Sequence, residues 1–122
     1  MKSYSTKWFK KWSKKVKLSN QNLLDAIKDF ESELSTVNLG SNLFKIRVKR
    51  KYRGKSSGFR TIVAYKKKER IIFLYGFSKN EKDNINKKEF QYLKKLGNDF
   101  LSLDINQFNI VLEQKIIFDL EG

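Results

Sequence analysis

The chain of 122 residues carries a formal net charge of +14, because 27 Lys and Arg residues face only 13 Asp and Glu residues. It contains no Cys and no His, which excludes a disulfide framework, a thiolate metal site and a histidine general base. No apolar run approaches the ~18 residues of a membrane span, and the basic N-terminus lacks the apolar core of a signal peptide. We therefore expect a cytoplasmic protein that folds as a single domain over residues 1–122.

Two amphipathic helices are predicted at the start of the chain. In the first, Trp8, Trp12 and Val16 are four residues apart, which places one apolar stripe opposite a lysine-rich face. The apolar stripe of the second helix has the same period and consists of Leu23, Ile27, Phe30 and Leu34. We expect this helix to end at the segment NLGSN, because Gly40 is suited to the left-handed conformation that ends helices.

The apolar period then changes from 3.6 to 2, which predicts three strands. In LFKIRV, the apolar residues Phe44, Ile46 and Val48 alternate with Lys45 and Arg47, as in a half-buried strand with a cationic outer face. FRTIVAYK and RIIFLYGF follow as the second and third strands, separated by a tight turn at KKE. The third strand has apolar residues at both odd and even positions, so both of its faces are apolar. This predicts a central position with both faces covered.

The C-terminal part of the chain predicts a further helix and a short tail. Asn86 and Glu89 have the spacing of a capping box at the start of this helix. Leu93, Leu96 and Phe100 form its buried stripe, and a short helix and a final strand follow in INQFNIVLEQ and KIIFDL. The predicted fold class is α+β, with two N-terminal helices packed on a small antiparallel β-sheet and a C-terminal helix.

The positive charge is concentrated in two blocks. Residues 1–19 hold seven Lys and no acidic residue, and residues 45–70 hold twelve basic residues and one acidic residue. Such a pattern indicates a nucleic-acid partner. The alternative is an ordinary solvated basic face without a ligand.

A phosphate-binding surface is predicted on the first two strands. Lys45, Arg47 and Lys49 share one strand face at intervals of about 7 Å, and Arg60 lies on the next strand. A rigid cationic surface of this kind can hold a phosphate and stabilise the charge that develops during its cleavage. We expect Lys49 and the following loop to bind RNA, with the Tyr52 ring able to stack on an unpaired base. The predicted RNA-binding residues are Lys49, Arg50, Lys51, Tyr52, Arg53 and Lys55.

Three segments, LFKIRVKR, GKSSGFRT and YGFSKNEKDNI, resemble the RelE/ParE superfamily of bacterial type II toxins, in particular the RelE-like branch called HigB-like. The opening TKWFKKWSKK and the helix FQYLKKLGNDFL fit the same pattern, so the resemblance covers most of the chain. It implies two helices followed by a small antiparallel sheet. It also implies a co-encoded antitoxin, often a helix-turn-helix protein in this branch, which we expect to cover all or part of the Lys45–Arg60 surface.

The resemblance further implies a chemistry. Ribonuclease members cut mRNA on the ribosome without a metal ion or small-molecule cofactor, and a ribose 2′-OH attacks the neighbouring phosphate. By position, Lys45 and Arg47 match the basic pair on the first sheet strand. Arg60 matches the strand arginine, and Lys79 falls in the basic turn after the third strand. A lysine can act as the base only if its surroundings lower its pKa, whereas Arg60 is suited to stabilise the transition state.

Two departures from the family pattern keep other functions open. Asn80 and Asn86 stand where ribonuclease members can carry an arginine and a tyrosine. The sister ParE toxins use the same scaffold to inhibit DNA gyrase without ribonuclease chemistry, and such a function requires an exposed apolar surface, for which the Trp8–Trp12 helix is a candidate. A non-catalytic nucleic-acid-binding module is the third possibility.

Overall fold

The computed structural model describes residues 1–32, 36–49 and 58–121. Four helices and six strands are present in these ranges. Their order is β1 (Lys2–Thr6), α1 (Lys7–Lys15), α2 (Asn20–Glu31), β2 (Thr36–Gly40), β3 (Leu43–Val48), β4 (Phe59–Lys66), β5 (Arg70–Ser78), α3 (Lys87–Leu101), α4 (Ile105–Glu113) and β6 (Ile117–Asp119).

The described strands form one mixed sheet in the order β2-β3-β4-β5-β1-β6. The pairs from β2 to β5 are antiparallel, whereas β1 pairs parallel to β5 and antiparallel to β6. The central position predicted for the third strand is confirmed, because β5 is hydrogen-bonded to both β4 and β1. The α+β class is confirmed as well, but the sheet is mixed and larger than predicted.

Helices cover both faces of the sheet. On one face, Phe9 of α1 and Leu23 of α2 pack with Phe73 of β5. On the other, Leu93 of α3 and Phe108 of α4 belong to a second apolar cluster. Because both faces of the sheet are covered, the central strand has apolar residues at both odd and even positions. In the described part of the chain, no helix combines the length and the apolar character needed to cross a membrane.

Helix α1 approaches the sheet closely at one glycine. A Cβ atom at Gly76 of β5 would overlap the indole ring of Trp12. That ring also makes an edge contact with Phe59, at 5.5 Å between ring centres. Trp12 is therefore a packing residue, whereas Trp8, one turn earlier, is 48% exposed.

The helix and strand predictions from Leu43 onward are confirmed. The strands β3, β4 and β5 coincide with the predicted segments, and α4 and β6 form where expected. Asn86 and Glu89 make the capping box of α3, with the side chain of each accepting a hydrogen bond from the backbone N–H of the other. Leu93 and Phe100 are buried on the inner face of α3, and Leu96 is partly buried.

The N-terminal predictions need two corrections. The chain begins with strand β1, which was not predicted because its segment, KSYST, is mostly polar. The second helix ends at Glu31, and Thr36–Gly40 form the strand β2 in place of a helical end. Gly40 does adopt a left-handed conformation, with φ of 86°, but at the turn between β2 and β3. The last predicted position of the helical stripe, Leu34, lies outside the described residues.

Candidate functional site: a cationic sheet face

Two arginines on neighbouring strands form the centre of the candidate site. Arg47 of β3 lies opposite Arg60 of β4, and Arg60 lies opposite Phe77 of β5. Residues that face each other across an antiparallel pair project from the same side of the sheet. Because Ile46 and Val48 point into the core under α1 and α2, the alternation places both guanidinium groups on the opposite face. One sheet face thus holds two positive charges side by side.

Both guanidinium groups contain a buried donor that lacks a partner. Nε of Arg47 and Nη1 of Arg60 are shielded from solvent, and neither has a hydrogen-bond acceptor within the described ranges. Gly58 leaves space for the Arg47 side chain, since a Cβ there would lie 3.2 Å from its Nε. A buried donor without an acceptor costs about 1–3 kcal/mol, and like charges opposite each other in a sheet are destabilising. Both side chains are partly exposed, so an oxyanion bound to them would relieve the like-charge contact.

Lys45 extends the cationic surface along β3. It lies opposite Ile62, which in turn lies opposite Tyr75 of β5. Its Nζ donates a hydrogen bond to Oδ1 of Asn84 at 3.4 Å. Asn84 belongs to the segment that joins β5 to α3, so this segment forms one wall of the site.

A further cation, Lys82, stands on the same wall. Its Nζ donates to both carboxylate oxygens of Glu89, at 2.7 and 2.6 Å, and lies 3.5 Å from the Tyr75 hydroxyl. The Tyr75 hydroxyl also donates to Glu89, at 3.1 Å. The Lys82 ammonium is 5.8 Å from the ring centre of Phe77, the residue opposite Arg60. Lys82 therefore borders the arginine pair.

This network fixes the protonation state of its members. The hydrogen bond to Glu89 raises the pKa of Lys82. The Lys82 ammonium lowers the pKa of Glu89, and the backbone N–H of Asn86 lowers it further. Burial raises the pKa of the Tyr75 hydroxyl, and its hydrogen bond to Glu89 acts in the same direction. At neutral pH Lys82 is therefore charged, and it is suited to electrostatic stabilisation and not to proton abstraction.

The structure brings together three of the four predicted catalytic residues, Lys45, Arg47 and Arg60, on one face. Lys79 is exposed in the turn after β5, close to the Arg60 end of β4, because Ser78 pairs with Phe59. Lys49 is exposed immediately after β3. The other predicted RNA-binding residues lie outside the described residues: Arg50, Lys51, Tyr52, Arg53 and Lys55.

Lys82 and its partners are site residues that the sequence did not predict. Glu89 was recognised as a capping residue, but its carboxylate also binds Lys82. Lys82 is seven positions from both Tyr75 and Glu89, but it lies between β5 and α3, so no helical or strand period predicts these contacts. Among the described residues, no group of three or more His, Cys, Asp or Glu residues is placed to hold a metal ion.

The family model for the RelE toxin of the RelE/RelB toxin–antitoxin system matches residues 1–120. No curated protein matches the chain.

Proposed function

Because the chain belongs to the RelE toxin family and is thus a toxin of a type II toxin–antitoxin system, we propose that it is a metal-independent, ribosome-dependent mRNA endoribonuclease. It would act as a single cytoplasmic domain that inhibits translation. The observation that carries this proposal is the arginine pair, in which Arg47 and Arg60 lie side by side on one sheet face and have no counter-charge or side-chain acceptor among the described residues. A phosphodiester would supply the negative charge that this pair lacks.

In this mechanism the two guanidinium groups hold the scissile phosphate. The ribose 2′-oxygen attacks the phosphorus, the bond from phosphorus to the 5′-oxygen breaks, and a 2′,3′-cyclic phosphate and a 5′-hydroxyl result. The 2′-hydroxyl proton leaves to a base, and the 5′-oxygen takes up a proton. Negative charge grows on the non-bridging oxygens, and arginines stabilise it well because their planar donors can grip two oxygens at once.

The neighbouring cations would position the RNA. Lys45 is two positions before Arg47 on the same face of β3, and the Lys82 ammonium lies near Phe77, the residue opposite Arg60. Both lysines would thus contact the phosphates that flank the scissile one. Lys79 and Lys49 stand exposed at the ends of β5 and β3. Together with the basic residues predicted to bind RNA after Lys49, they would bind mRNA and the ribosome mainly through phosphate contacts.

The partner that controls the toxin is its cognate antitoxin, which the family implies. We propose further that the chain belongs to the HigB-like branch, in which the antitoxin is often a helix-turn-helix protein. The alternative function, gyrase inhibition without catalysis, requires an exposed apolar surface, and the 48% exposure of Trp8 is the observation in its favour. Gyrase inhibition, however, gives no role to the neighbouring positive charges of Arg47 and Arg60.

Induced expression of the chain alone distinguishes the two functions. An mRNA endoribonuclease should stop protein synthesis before DNA synthesis, and mapping of mRNA 5′ ends should reveal new cuts that are absent after expression of Arg60→Ala. Early arrest of replication with intact mRNA would overturn the proposal in favour of gyrase inhibition.

A further inference from the structure

The segment between β5 and α3, residues 79–86, forms one wall of the cationic site and is fixed to the fold at two points. Lys82 is bound by the carboxylate of Glu89. Three residues later, the partly buried side chain of Ile85 packs against the apolar cluster between the sheet and α3. Asn84 lies between these two anchors, so its backbone is held in place beside the site.

The side chain of Asn84 connects this wall to Lys45 of β3. Its Oδ1 accepts a hydrogen bond from the backbone N–H of Ile85 at 2.9 Å, which orients the amide. The same oxygen accepts from Nζ of Lys45 at 3.4 Å. Two strands separate Lys45 from the wall, because Lys45 pairs with Ile62, which in turn pairs with Tyr75. The lysine side chain therefore extends across the sheet face to reach Asn84.

Asn84 holds the ammonium of Lys45 without compensating its charge. An amide oxygen carries no formal charge, and among the described residues Lys45 has no carboxylate partner. By contrast, Lys82 on the same wall is paired with the Glu89 carboxylate. The charge of Lys45 is thus left for a phosphate while its position is fixed. A charge that is already in position needs no reorganisation when the transition state forms.

We propose that Asn84 is a positioning residue, which holds Lys45 where the lysine fixes the phosphate next to the scissile one. This role rests on the proposed ribonuclease function, because a held cation beside the arginine pair is needed only if a phosphodiester lies there. A fixed flanking phosphate keeps the attacking 2′-oxygen in line with the bond that breaks. Without Asn84, Lys45 still attracts the RNA but no longer fixes its register.

The test compares three variants of the full chain in ribosome-dependent cleavage of mRNA. Asn84→Ala removes the acceptor. Asn84→Asp keeps an acceptor for Ile85 and Lys45 but replaces the neutral amide by a negative charge. The matched control is Asn109→Ala, because Asn109 is an exposed asparagine on α4, outside the wall. Melting temperatures establish that each variant is folded.

We expect Asn84→Ala to lower kcat by about 10-fold or more with KM nearly unchanged, since a misplaced cation slows the reaction without losing its charge. Asn84→Asp should instead weaken binding to a 2′-O-methyl RNA oligonucleotide, which cannot be cut. It should also make that binding less sensitive to salt, because the new carboxylate competes with the phosphate for Lys45. Asn109→Ala should behave like the wild type in both measurements.

A double-mutant cycle separates positioning from a direct contact between Asn84 and RNA. In a Lys45→Ala background, Asn84→Ala should cause no further loss of cleavage, and Asn84→Asp should lose most of its effect on RNA binding. Equal losses in both backgrounds overturn the positioning role, and so does wild-type kcat in Asn84→Ala, while the ribonuclease function stands in either case. If the wild-type toxin itself leaves mRNA on ribosomes intact, the ribonuclease function fails and the positioning role fails with it.

Discussion

Arg47 and Arg60 occupy positions that disfavour the folded chain, and in the proposed function a bound phosphate offsets this cost. Their side chains lie next to each other on one sheet face, and each holds a buried donor that has no acceptor among the described residues. A sheet can hold like charges in this arrangement only because the core on its other face stabilises both strands, with Ile46 and Val48 almost fully buried. The rigidity that fixes the two charges also prepares them for the transition state, since they need not move when it forms.

Substitutions at Arg60 test this function directly. Arg60→Ala should lower cleavage on ribosomes by a factor on the order of 10² or more. Arg60→Lys should recover only part of it, because an ammonium lacks the planar fork that grips two phosphate oxygens. The free energy of unfolding should not fall in Arg60→Ala, since the substitution removes a like-charge contact. The measurements are ribosome-dependent cleavage and denaturant unfolding.

Lys67→Ala is the control for net charge. Lys67 follows the far end of β4, about 23 Å from Arg60 at the rise of a β-strand. Its removal changes the total charge by the same amount as Arg60→Ala but leaves the site intact, so cleavage should stay near the wild-type rate. Full cleavage by Arg60→Ala would show that the arginine pair is not the phosphate seat.

Some residues of the site could be predicted from the sequence and others could not. Lys45, Arg47 and Arg60 were predicted because strand alternation and antiparallel pairing are readable in the sequence, and these determine which residues share a face. Lys82 was not predicted, because its position depends on how the segment between β5 and α3 folds back over Tyr75. No local period encodes such a contact.

At the level of elements, Glu89 at the start of α3 both stabilises the helix and binds a cation of the candidate site. This residue closes the capping box with Asn86 and also binds Lys82. The Lys82 ion pair lowers the pKa of Glu89 below its ordinary value of 4.5. The stability from this pair is therefore present above about pH 4.5 and is lost as the pH falls through the lowered pKa.

Glu89→Gln should isolate this contribution, because glutamine can keep the capping box while the charge is lost. The variant should be less stable than the wild type at neutral pH, by no more than ~1 kcal/mol, since the two side chains are 30% and 27% exposed and solvent screens the pair. The difference should shrink towards about pH 3. Urea unfolding at both pH values measures it, with Glu113→Gln on α4 as the matched control. A difference that is independent of pH would contradict the role of the ion pair.

The packing of α1 on β5 leads to a second prediction for elements. Gly76→Ala should lower the free energy of unfolding by about 1–3 kcal/mol, because the new methyl group would overlap the Trp12 ring and force α1 away from the sheet. Gly40→Ala separates this effect from backbone strain: Gly40 has open space around it but a φ of 86°. Its cost should be about 1 kcal/mol and arise from conformation alone. Denaturant unfolding that finds Gly76→Ala as stable as the wild type would contradict the close approach of α1.

The elements that escaped prediction share one property, which is that tertiary contacts create them. Strand β1 contains Ser3, Ser5 and Thr6, which are buried only because β5 and β6 pair with it on either side. Strand β2 is largely exposed and is held by its pairing with β3. Strand β1 has one large apolar residue, Tyr4, and β2 has only Val37 and Leu39, which are too few to establish a period. The strands β3 to β5 and the amphipathic helices carry longer patterns and were predicted, although α2 ends at Glu31, before its predicted end at NLGSN.

For the molecule as a whole, the charge distribution determines how the toxin meets its target. The net charge of +14 attracts any polyanion at a distance, and in the proposed function the cationic sheet face would then make the local contacts. Each phosphate contact by a Lys or Arg releases condensed counterions, so the logarithm of the binding constant falls linearly with the logarithm of the salt concentration. The slope measures the number of phosphates that the protein neutralises.

Binding to a 2′-O-methyl RNA oligonucleotide, which lacks the attacking hydroxyl and cannot be cut, should therefore weaken steeply between low and physiological salt. Arg60→Ala and Lys49→Ala should each reduce the slope by about 0.7, the value for one phosphate contact on a single strand. Lys67→Ala, at the far end of β4, should leave the slope unchanged although it removes the same charge. If the wild-type affinity is flat across this salt range, or if all three variants reduce the slope equally, the cationic sheet face is not the surface that binds RNA.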